Sequence, residues 1–575
     1  MFTKVLPRSV VLISAIAICL SAMEVSPQYS NPNSTSCRYL PGDKAWPSTR
    51  EWQHLNSTVS GRLIATVPLG SVCHDPTYDA EACESLYQTW SLPQTHFGHP
   101  SSFMSAYHQN ASCNPYTPES SPCLLGNTVS YTINVTSAKD VKAGLDFAQR
   151  KNVRLVIKNT GHDYLGKSTG EGALGLWTHN LKTIDFLNFT SPAYSGPAIK
   201  IGAGVQAFEA YEAAAARGLK IVGGECITVG LAGGYTQGGG HSLLSSKYGM
   251  GADQALEWEL VTANGTHLTA SPSQNSDLYW ALSGGGGGTY AVVLSLTAKA
   301  YPDGLIGGAS MAVPFSSTDD DALWDLVSFF QATALPPIVD AGGFVQWGVF
   351  DGGFLITEVT IPDATESDMR SVMGPFTAYL NEQSISFQLN VTALPNYLQH
   401  LELYQGPFPY GSIPVAQNMG GVMISRETVQ KNNTALTAVL RTIVTTQNFY
   451  IAPFSFNVGR APSSPNAVLP AWRDALTYYN AISTFNFTVP FSVMNTQKNL
   501  ITDVLMPPLQ QFASGAYMNE ADDHDPKWRE EFYGDNFGKL KGIKSTWDPE
   551  DLFYATTAVG SDAWSVAEDG RLCRA

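Results

Sequence analysis

An α+β fold is what the sequence predicts, and three observations predict it. Strand-like and helix-like stretches alternate irregularly from about residue 125 to 303. Glycine crowds residues 218 to 260 and again 284 to 288, and a second alternating region runs from about 304 to 505. The alternation is too irregular for a doubly wound parallel sheet.

Taken in order, the chain opens with Lys4 and Arg8 before an apolar run, VVLISAIAICLSA, that ends in small residues around Ala22. Residues 1–22 therefore read as a cleaved secretory leader. The run is short for a membrane span, and no later stretch approaches the ~20 apolar residues one requires. Residues 23–123 are rich in Pro, Ser and Cys and predict a disulfide-stapled, loop-rich extension. In the next block, 124–303, VSYTINV reads as a strand and SAKDVKAGLDFAQRKN as a helix opened by Ser137. VRLVIKN and AIKIGAGV read as strands, QAFEAYEAAAARG as a helix, and LEWELVTA with HLTAS as a hairpin across Asn264-Gly265. Block 304–505 alternates strands such as GGFVQWGVF with helices such as DALWDLVSFFQATA, and block 506–575 carries one helical segment, PKWREEFYGDNFGKLKGIKSTW.

Charge and cysteine usage narrow the function. A formal charge of -16 repels phosphate backbones, so nucleic acid is excluded as a partner. Nine N-x-[ST] sequons, at Asn33, Asn56, Asn110, Asn134, Asn188, Asn264, Asn390, Asn432 and Asn486, agree with a secreted or luminal glycoprotein bearing N-linked glycans. Of eight cysteines, Cys19 lies in the leader. Close spacing suggests Cys73 with Cys83 and Cys113 with Cys123, leaving Cys37 with Cys573, although spacing does not fix connectivity. Cys226 is left over, to be either buried and inert or bonded to something other than cysteine. No metal site is expected, because His162, His179 and His241 lack zinc-ligand spacing.

Residues Gly161 to Ser168, GHDYLGKS, satisfy G-x-x-x-x-G-K-[ST], the pattern of a triphosphate-binding loop. Such a loop needs a helix behind it to hold the phosphates. STGEGALGLW follows instead, with three glycines in ten residues, and each glycine costs a helix interior about 1 kcal/mol. The match is accidental as a nucleotidase signature, although a Gly-, Asn- and Thr-rich turn still directs N–H groups at a diphosphate.

Five segments recur in a recognisable order: KNTGHDYLG at 158–166, GGECITVG at 223–230, GGYTQGGGHS at 233–242, DLYWALSGGGGGTYAVV at 277–293 and YGDNFGKLKGIKSTWDPEDLF at 533–553. Together they resemble the berberine bridge enzyme-like branch of the vanillyl-alcohol oxidase (PCMH-type) FAD-linked oxidoreductases, and in particular fungal isoamyl-alcohol-oxidase-like and 6-hydroxynicotine-oxidase-like proteins. The resemblance covers roughly residues 124–303 and 506–575 and implies a PCMH-type FAD-binding domain with a separate substrate domain, an antiparallel sheet covered by helices. It implies bicovalent FAD, with His162 bonded to the flavin 8α-methyl carbon and Cys226 to C6. The loop of Lys158, Asn159, Thr160, Gly161 and Asp163 would wrap the diphosphate. Val229, Gly230, Gly233, Gly234, Gly238 and Gly239 would line the ring, Val293 would close the glycine-run segment, and Asn536 would lie near the flavin. A small residue at Val229 resembles oxidases more than dehydrogenases.

The reaction implied is hydride transfer from a small-molecule or secondary-metabolite alcohol, amine or phenol, with O2 reoxidising the cofactor to give H2O2. Tyr517, Glu520 and Tyr554 are the candidate bases, with Tyr450 and Tyr479 behind them; a base must reach the substrate proton. A flavin-dependent dehydrogenase or oxidative cyclase is the alternative, and a non-catalytic secreted glycoprotein the third reading. A monomer is expected.

Overall fold

A computed structural model describes residues 37–109, 113–350, 352–411, 415–446, 449–461 and 464–575. The leader and the sequons at Asn33 and Asn110 lie outside the described residues. Helices and mostly antiparallel sheets are arranged in two units, the α+β architecture expected from the sequence.

The first unit contains a four-stranded sheet in the order Leu63–Ala65, Tyr131–Asn134, Leu174–Trp177, Leu155–Lys158. Its last three strands are mutually parallel, and helix Ala138–Lys151 makes one crossover between them. The helix starts where the sequence signals it: the Asp140 carboxylate accepts hydrogen bonds from Thr136 N–H and the Ser137 hydroxyl. It stops at Asn152, which takes a left-handed conformation. Beside it lies a five-stranded antiparallel sheet, ordered Ile184–Thr190, Ser195–Gly202, Ala291–Lys299, Ala255–Thr262, His267–Ala270. Alternate residues of its central strands serve two cores: Val261 and Val292 pack with Leu145 and Leu176, whereas Leu260 and Val293 pack with Tyr211 and Leu231. Asn264-Gly265 turns the hairpin, and Gly265 has φ +79°.

The segment before residue 124 is less of a loop than the sequence suggests. It forms helices Thr49–Thr58 and Ala80–Thr89, and RLIATVPLG supplies the edge strand paired with Tyr131–Asn134. Cys73–Cys83, Cys113–Cys123 and Cys37–Cys573 are the disulfides, the last joining segments 536 residues apart.

The second unit is an eight-stranded antiparallel sheet whose inner strands include Gly353–Pro362, Phe344–Phe350 and Ala475–Thr484, with Gln417–Ser425 at one edge. Helices Asp321–Phe329, Glu366–Glu382 and Arg426–Thr445 cover one face and build a core with Trp347, Ile356, Val422 and Tyr479. Contrary to expectation, one later run, Asp321–Asp340, is long and apolar enough to cross a membrane; 56% of its most apolar 18-residue window is buried within the protein, the property of a core helix. The opposite face looks toward the first unit, because strand residues alternate: Gln346 and Phe350 point where Val345 and Val349 do not.

After residue 505 the chain returns to the first unit. The single helix expected there is two, Trp528–Tyr533 and Phe537–Trp547, broken at Gly534, where φ is +53°. Lys544 fastens the second helix by donating to the Thr289 and Phe553 carbonyls, both at 2.8 Å.

Candidate active site

A cavity of about 630 Å³ opens between the two units. Its first wall is the turn at 159–168, the glycine-rich segment from Gly224 to Gln237, and Gly287 with Gly288. Its second is the free face of the large sheet, with Gln346, Phe350, Gln417, Tyr450 and Asn480. Tyr517 and Glu520 reach in from the C-terminal segment.

The turn at 159–168 is shaped by Gly161 and Gly166, with φ +83° and +74°, and by Asp163, whose carboxylate accepts the N–H groups of Leu165 (3.1 Å) and Ser168 (2.6 Å). No helix follows it. The lysine that completes the triphosphate pattern, Lys167, donates to the Met518 carbonyl at 2.9 Å and so ties the turn to the C-terminal segment.

His162 and Cys226 come from separate loops and meet at Thr228. The Thr228 hydroxyl lies 2.7 Å from His162 Nε2 and 3.7 Å from Cys226 Sγ. Burial holds the His162 imidazole down at about 3, with His96 and Lys158 adding to the effect, so the ring is neutral at physiological pH. Burial pushes the Cys226 thiol up to about 11, opposed by its contact with Thr228. Cys226 is in no disulfide.

The wall between these groups is built to admit a flat ligand closely. A Cβ at Gly230 would come 2.5 Å from Asn159 Oδ1, and one at Gly287 would come 3.0 Å from the Gly234 Cα. Asn159 Oδ1 is buried without a hydrogen-bond partner. Side-chain-free walls, an orphaned acceptor and two nucleophilic side chains fit FAD, and the volume lies within the range of cofactor pockets. Thr160, Gly161, Asp163, Val229, Gly230, Gly233, Gly234 and Val293 all line this cavity.

Four expected cofactor contacts lie behind the wall instead. The Lys158 ammonium turns away to the His99 carbonyl (2.9 Å) and sits over the Trp177 ring, where burial lowers its pKa to about 7. Gly238 packs on Asn519 and Gly239 on Val468. The Asn536 amide donates to the Ala467 and Val468 carbonyls, at 3.2 and 3.1 Å, which makes it a brace for that segment. Tyr479 faces the helical layer, its hydroxyl donating to Gln331 Oε1 at 2.7 Å, whereas Tyr450 lines the cavity and receives the Gln417 amide at 3.2 Å.

Of the candidate bases, Glu520 is the one with a titratable partner in the cavity. Its Oε1 lies 3.0 Å from His241 Nε2, and the Asn480 amide approaches its Oε2 at 3.4 Å. Burial alone would depress His241; the Glu520 carboxylate, with help from Glu225, overcomes it and raises the imidazole pKa. The Tyr517 ring stands edge-on to His241, 5.5 Å between centroids, and its hydroxyl accepts the Asn519 amide at 2.9 Å. Tyr554 lines the cavity against Arg154, whose guanidinium carbon is 5.3 Å from its ring centroid. Sequence reading missed Glu225, Thr228 and the His241–Glu520 pair. Glu225 and Thr228 stand inside GGECITVG beside Cys226, so the motif itself was the available signal; nothing in the sequence pairs residues 241 and 520.

Comparison with known proteins agrees with this geometry. Residues 129–271 match the FAD binding domain family and residues 516–560 the berberine and berberine like family. The chain is 44% identical to the FAD-linked oxidoreductase ZEB1 of Gibberella zeae, over 95% of this chain and 96% of that one. It is 45% identical to the VAO-type flavoprotein oxidase VAO615 of Thermothelomyces thermophilus, over 97% and 99%. The crystal structure of the VAO-type flavoprotein MtVAO615 from Myceliophthora thermophila superposes with a TM-score of 0.91 at 45% identity, covering 94% of this chain and 100% of that one. A covered FAD cradle, a berberine-like C-terminal segment and relatives matched along nearly their whole length place the chain in the VAO-type FAD-linked oxidoreductases.

Proposed function

We propose that this oxidoreductase holds FAD through two covalent bonds, from His162 and Cys226. It oxidises a small-molecule or secondary-metabolite alcohol, amine or phenol, passing the electrons to O2 with release of H2O2. The observation that carries this reading is the convergence of His162 and Cys226 on one hydroxyl at one cavity wall. Bound FAD supplies the hydride acceptor and the site of O2 reduction. The chain's own residues supply the rest: the turn at 159–163 and Gly230, Gly233 and Gly234 seat the cofactor, and Glu520, oriented by His241 and Asn480, takes the substrate proton.

Substrate is held against the free face of the sheet by Gln346, Gln417, Phe350 and Tyr450. Lys167 is the one lysine or arginine among the described cavity-lining residues, and its ammonium is occupied by a carbonyl. Uncharged substrates fit this lining and carboxylates do not. Three disulfides support maturation in an oxidising compartment, in keeping with the leader at 1–22, and the glycans are expected on sequons in the described chain.

Acid precipitation of the purified yellow protein tests the linkage: the colour stays with the pellet, and colour wholly in the supernatant would refute it. Peroxide release across alcohols, phenols and amines, with reoxidation of substrate-reduced enzyme in air within seconds, tests the oxidase reading against a dehydrogenase. Secretion is checked by recovering the protein from culture medium with a mobility shift on deglycosylation.

A further inference from the structure

We propose that Thr228 is a positioning residue that prepares both attachment side chains at once: its hydroxyl fixes the tautomer of His162, accepts the proton that ring must lose, and hydrogen-bonds the sulfur of Cys226. The inference rests on the covalent reading above and deepens it.

In the arrangement proposed, both bonds run one way along the chain of three groups. His162 is half-buried and its ring is neutral, so it carries one ring proton. Among the described residues its Nε2 is bonded to Thr228 Oγ1 at 2.7 Å and its Nδ1 to nothing. The Thr228 hydroxyl has a single proton and two lone pairs. When that proton is given to Cys226 Sγ, 3.7 Å away, only lone pairs remain for His162 and the hydroxyl accepts from Nε2. The chain then runs from His162 Nε2–H to the Thr228 hydroxyl to Cys226 sulfur. Nδ1 is left with its lone pair bare, and Cys226 receives a hydrogen bond that favours its thiolate against the burial that opposes it.

Thr228 is itself held fast. It is fully buried, and its carbonyl accepts the Gln206 side-chain amide at 2.7 Å. Gln206 is also buried and bridges to Gly230, so the hydroxyl is aimed by a framework and does not rotate with a free loop.

The balance of each step closes. Were the N–C bond formed at the 8α-methyl carbon, that carbon would lose one hydrogen as a proton, the Nε2 proton would pass to the Thr228 hydroxyl as its own proton moves on to the Cys226 sulfur, and two electrons would reduce the flavin. Were the S–C bond formed at C6, the thiol proton and the C6 hydrogen would be lost as protons and two electrons would again reduce the flavin. Dioxygen reoxidises the flavin after each bond and becomes hydrogen peroxide.

The test compares Thr228→Val, which keeps the shape and removes the hydroxyl, with Thr228→Ser, which keeps the hydroxyl; Thr228→Ala replaces valine if that variant does not fold. Each is made in the full-length chain and in Cys226→Ala and His162→Ala backgrounds, so the histidyl and cysteinyl bonds are scored separately. The readouts are the fraction of FAD retained after acid precipitation and the intact mass. Thr228→Val is expected to lower the rate of attachment at least tenfold in both backgrounds, and Thr228→Ser to restore it. Wild-type attachment in Thr228→Val, or loss confined to one bond, would overturn the shared role. A wild-type chain that itself surrenders all its FAD to acid would instead overturn the covalent reading and this role with it.

Discussion

His241 Nε2 lies 3.0 Å from Glu520 Oε1, a contact that joins the glycine-rich segment to the C-terminal segment 279 residues later. Ring faces of Phe454, 4.0 Å between centroids, and of Trp472, 6.4 Å, pack parallel to the imidazole and hold it in place. The pair combines an oriented carboxylate with a cation to stabilise it. Glu520→Gln removes the proton acceptor while keeping the shape, and is expected to slow substrate reduction of the flavin 10²- to 10³-fold, within the usual range for general bases, with flavin content unchanged. Stopped-flow reduction measures this.

The same contact predicts a pH dependence of stability. The folded-state pKa of His241 is raised, so its stabilisation is fully present below the unfolded value of about 6.5 and is lost as pH rises through the folded value. Wild type should therefore exceed His241→Asn in melting temperature by more at pH 5 than at pH 9. An equal gap at both ends would exclude a charged imidazole here.

Val229 lines the cavity three residues after Cys226, and a Cβ on Gly224 would meet its Cγ2 at 2.6 Å. A larger side chain at 229 has that neighbour behind it and only the cavity ahead. Val229→Leu is expected to slow reoxidation of the reduced enzyme by O2 about tenfold or more while leaving reduction by substrate near wild type. Slowed reduction with unchanged reoxidation would assign Val229 to substrate packing.

How much of this was legible in the sequence depended on whether chemistry or direction was at issue. Covalent chemistry demands a particular residue at a particular place, so His162 and Cys226 could be read from motif letters. Direction cannot be read from letters. Lys158 and Asn159 are neighbours on one strand end, and strand alternation sends the lysine behind the wall and leaves the asparagine on it. Asn536 sits in a matching motif yet braces the Ala467 and Val468 carbonyls. The extension looked loop-rich because the one strand among its described residues, Leu63–Ala65, is three residues long and is stabilised by a partner far along the chain. His241 was weighed as a zinc ligand and set aside; its partner at 520 is brought in by tertiary packing.

Cys37–Cys573 ties the first described residue to the C-terminal strand pair, with Arg38 N–H donating to the Leu572 carbonyl beside it at 2.7 Å. A cross-link closing so long a loop restricts the unfolded chain, an effect of about 2–4 kcal/mol. The double variant Cys37→Ser, Cys573→Ser should lose several degrees of melting temperature and keep the wild-type flavin spectrum, because the bond lies away from the cavity-lining residues. Calorimetry with an absorbance spectrum on the same sample decides it.

Glu225 stands beside Cys226 on the cavity wall, with one carboxylate oxygen buried and unpartnered. Burial pushes its pKa up to about 7 from an ordinary 4.5, the nearby Glu520 and Glu358 carboxylates adding to the rise and His241 opposing it. A carboxyl held neutral in the fold gives up its proton more readily once unfolded, so the folded state loses stability relative to the unfolded chain as pH climbs from about 4.5 to about 7. Glu225→Gln cannot ionise and escapes that loss. The melting temperature of the variant holoenzyme, measured against wild type, should therefore rise across this interval and level off above it. The same substitution removes a negative charge from the cavity lining, so inhibition by a carboxylate such as benzoate should strengthen in the variant above pH 7 and match wild type near pH 5. If benzoate binds both proteins equally at pH 8, Glu225 is not ionised in the folded enzyme and the lining excludes carboxylates by another means.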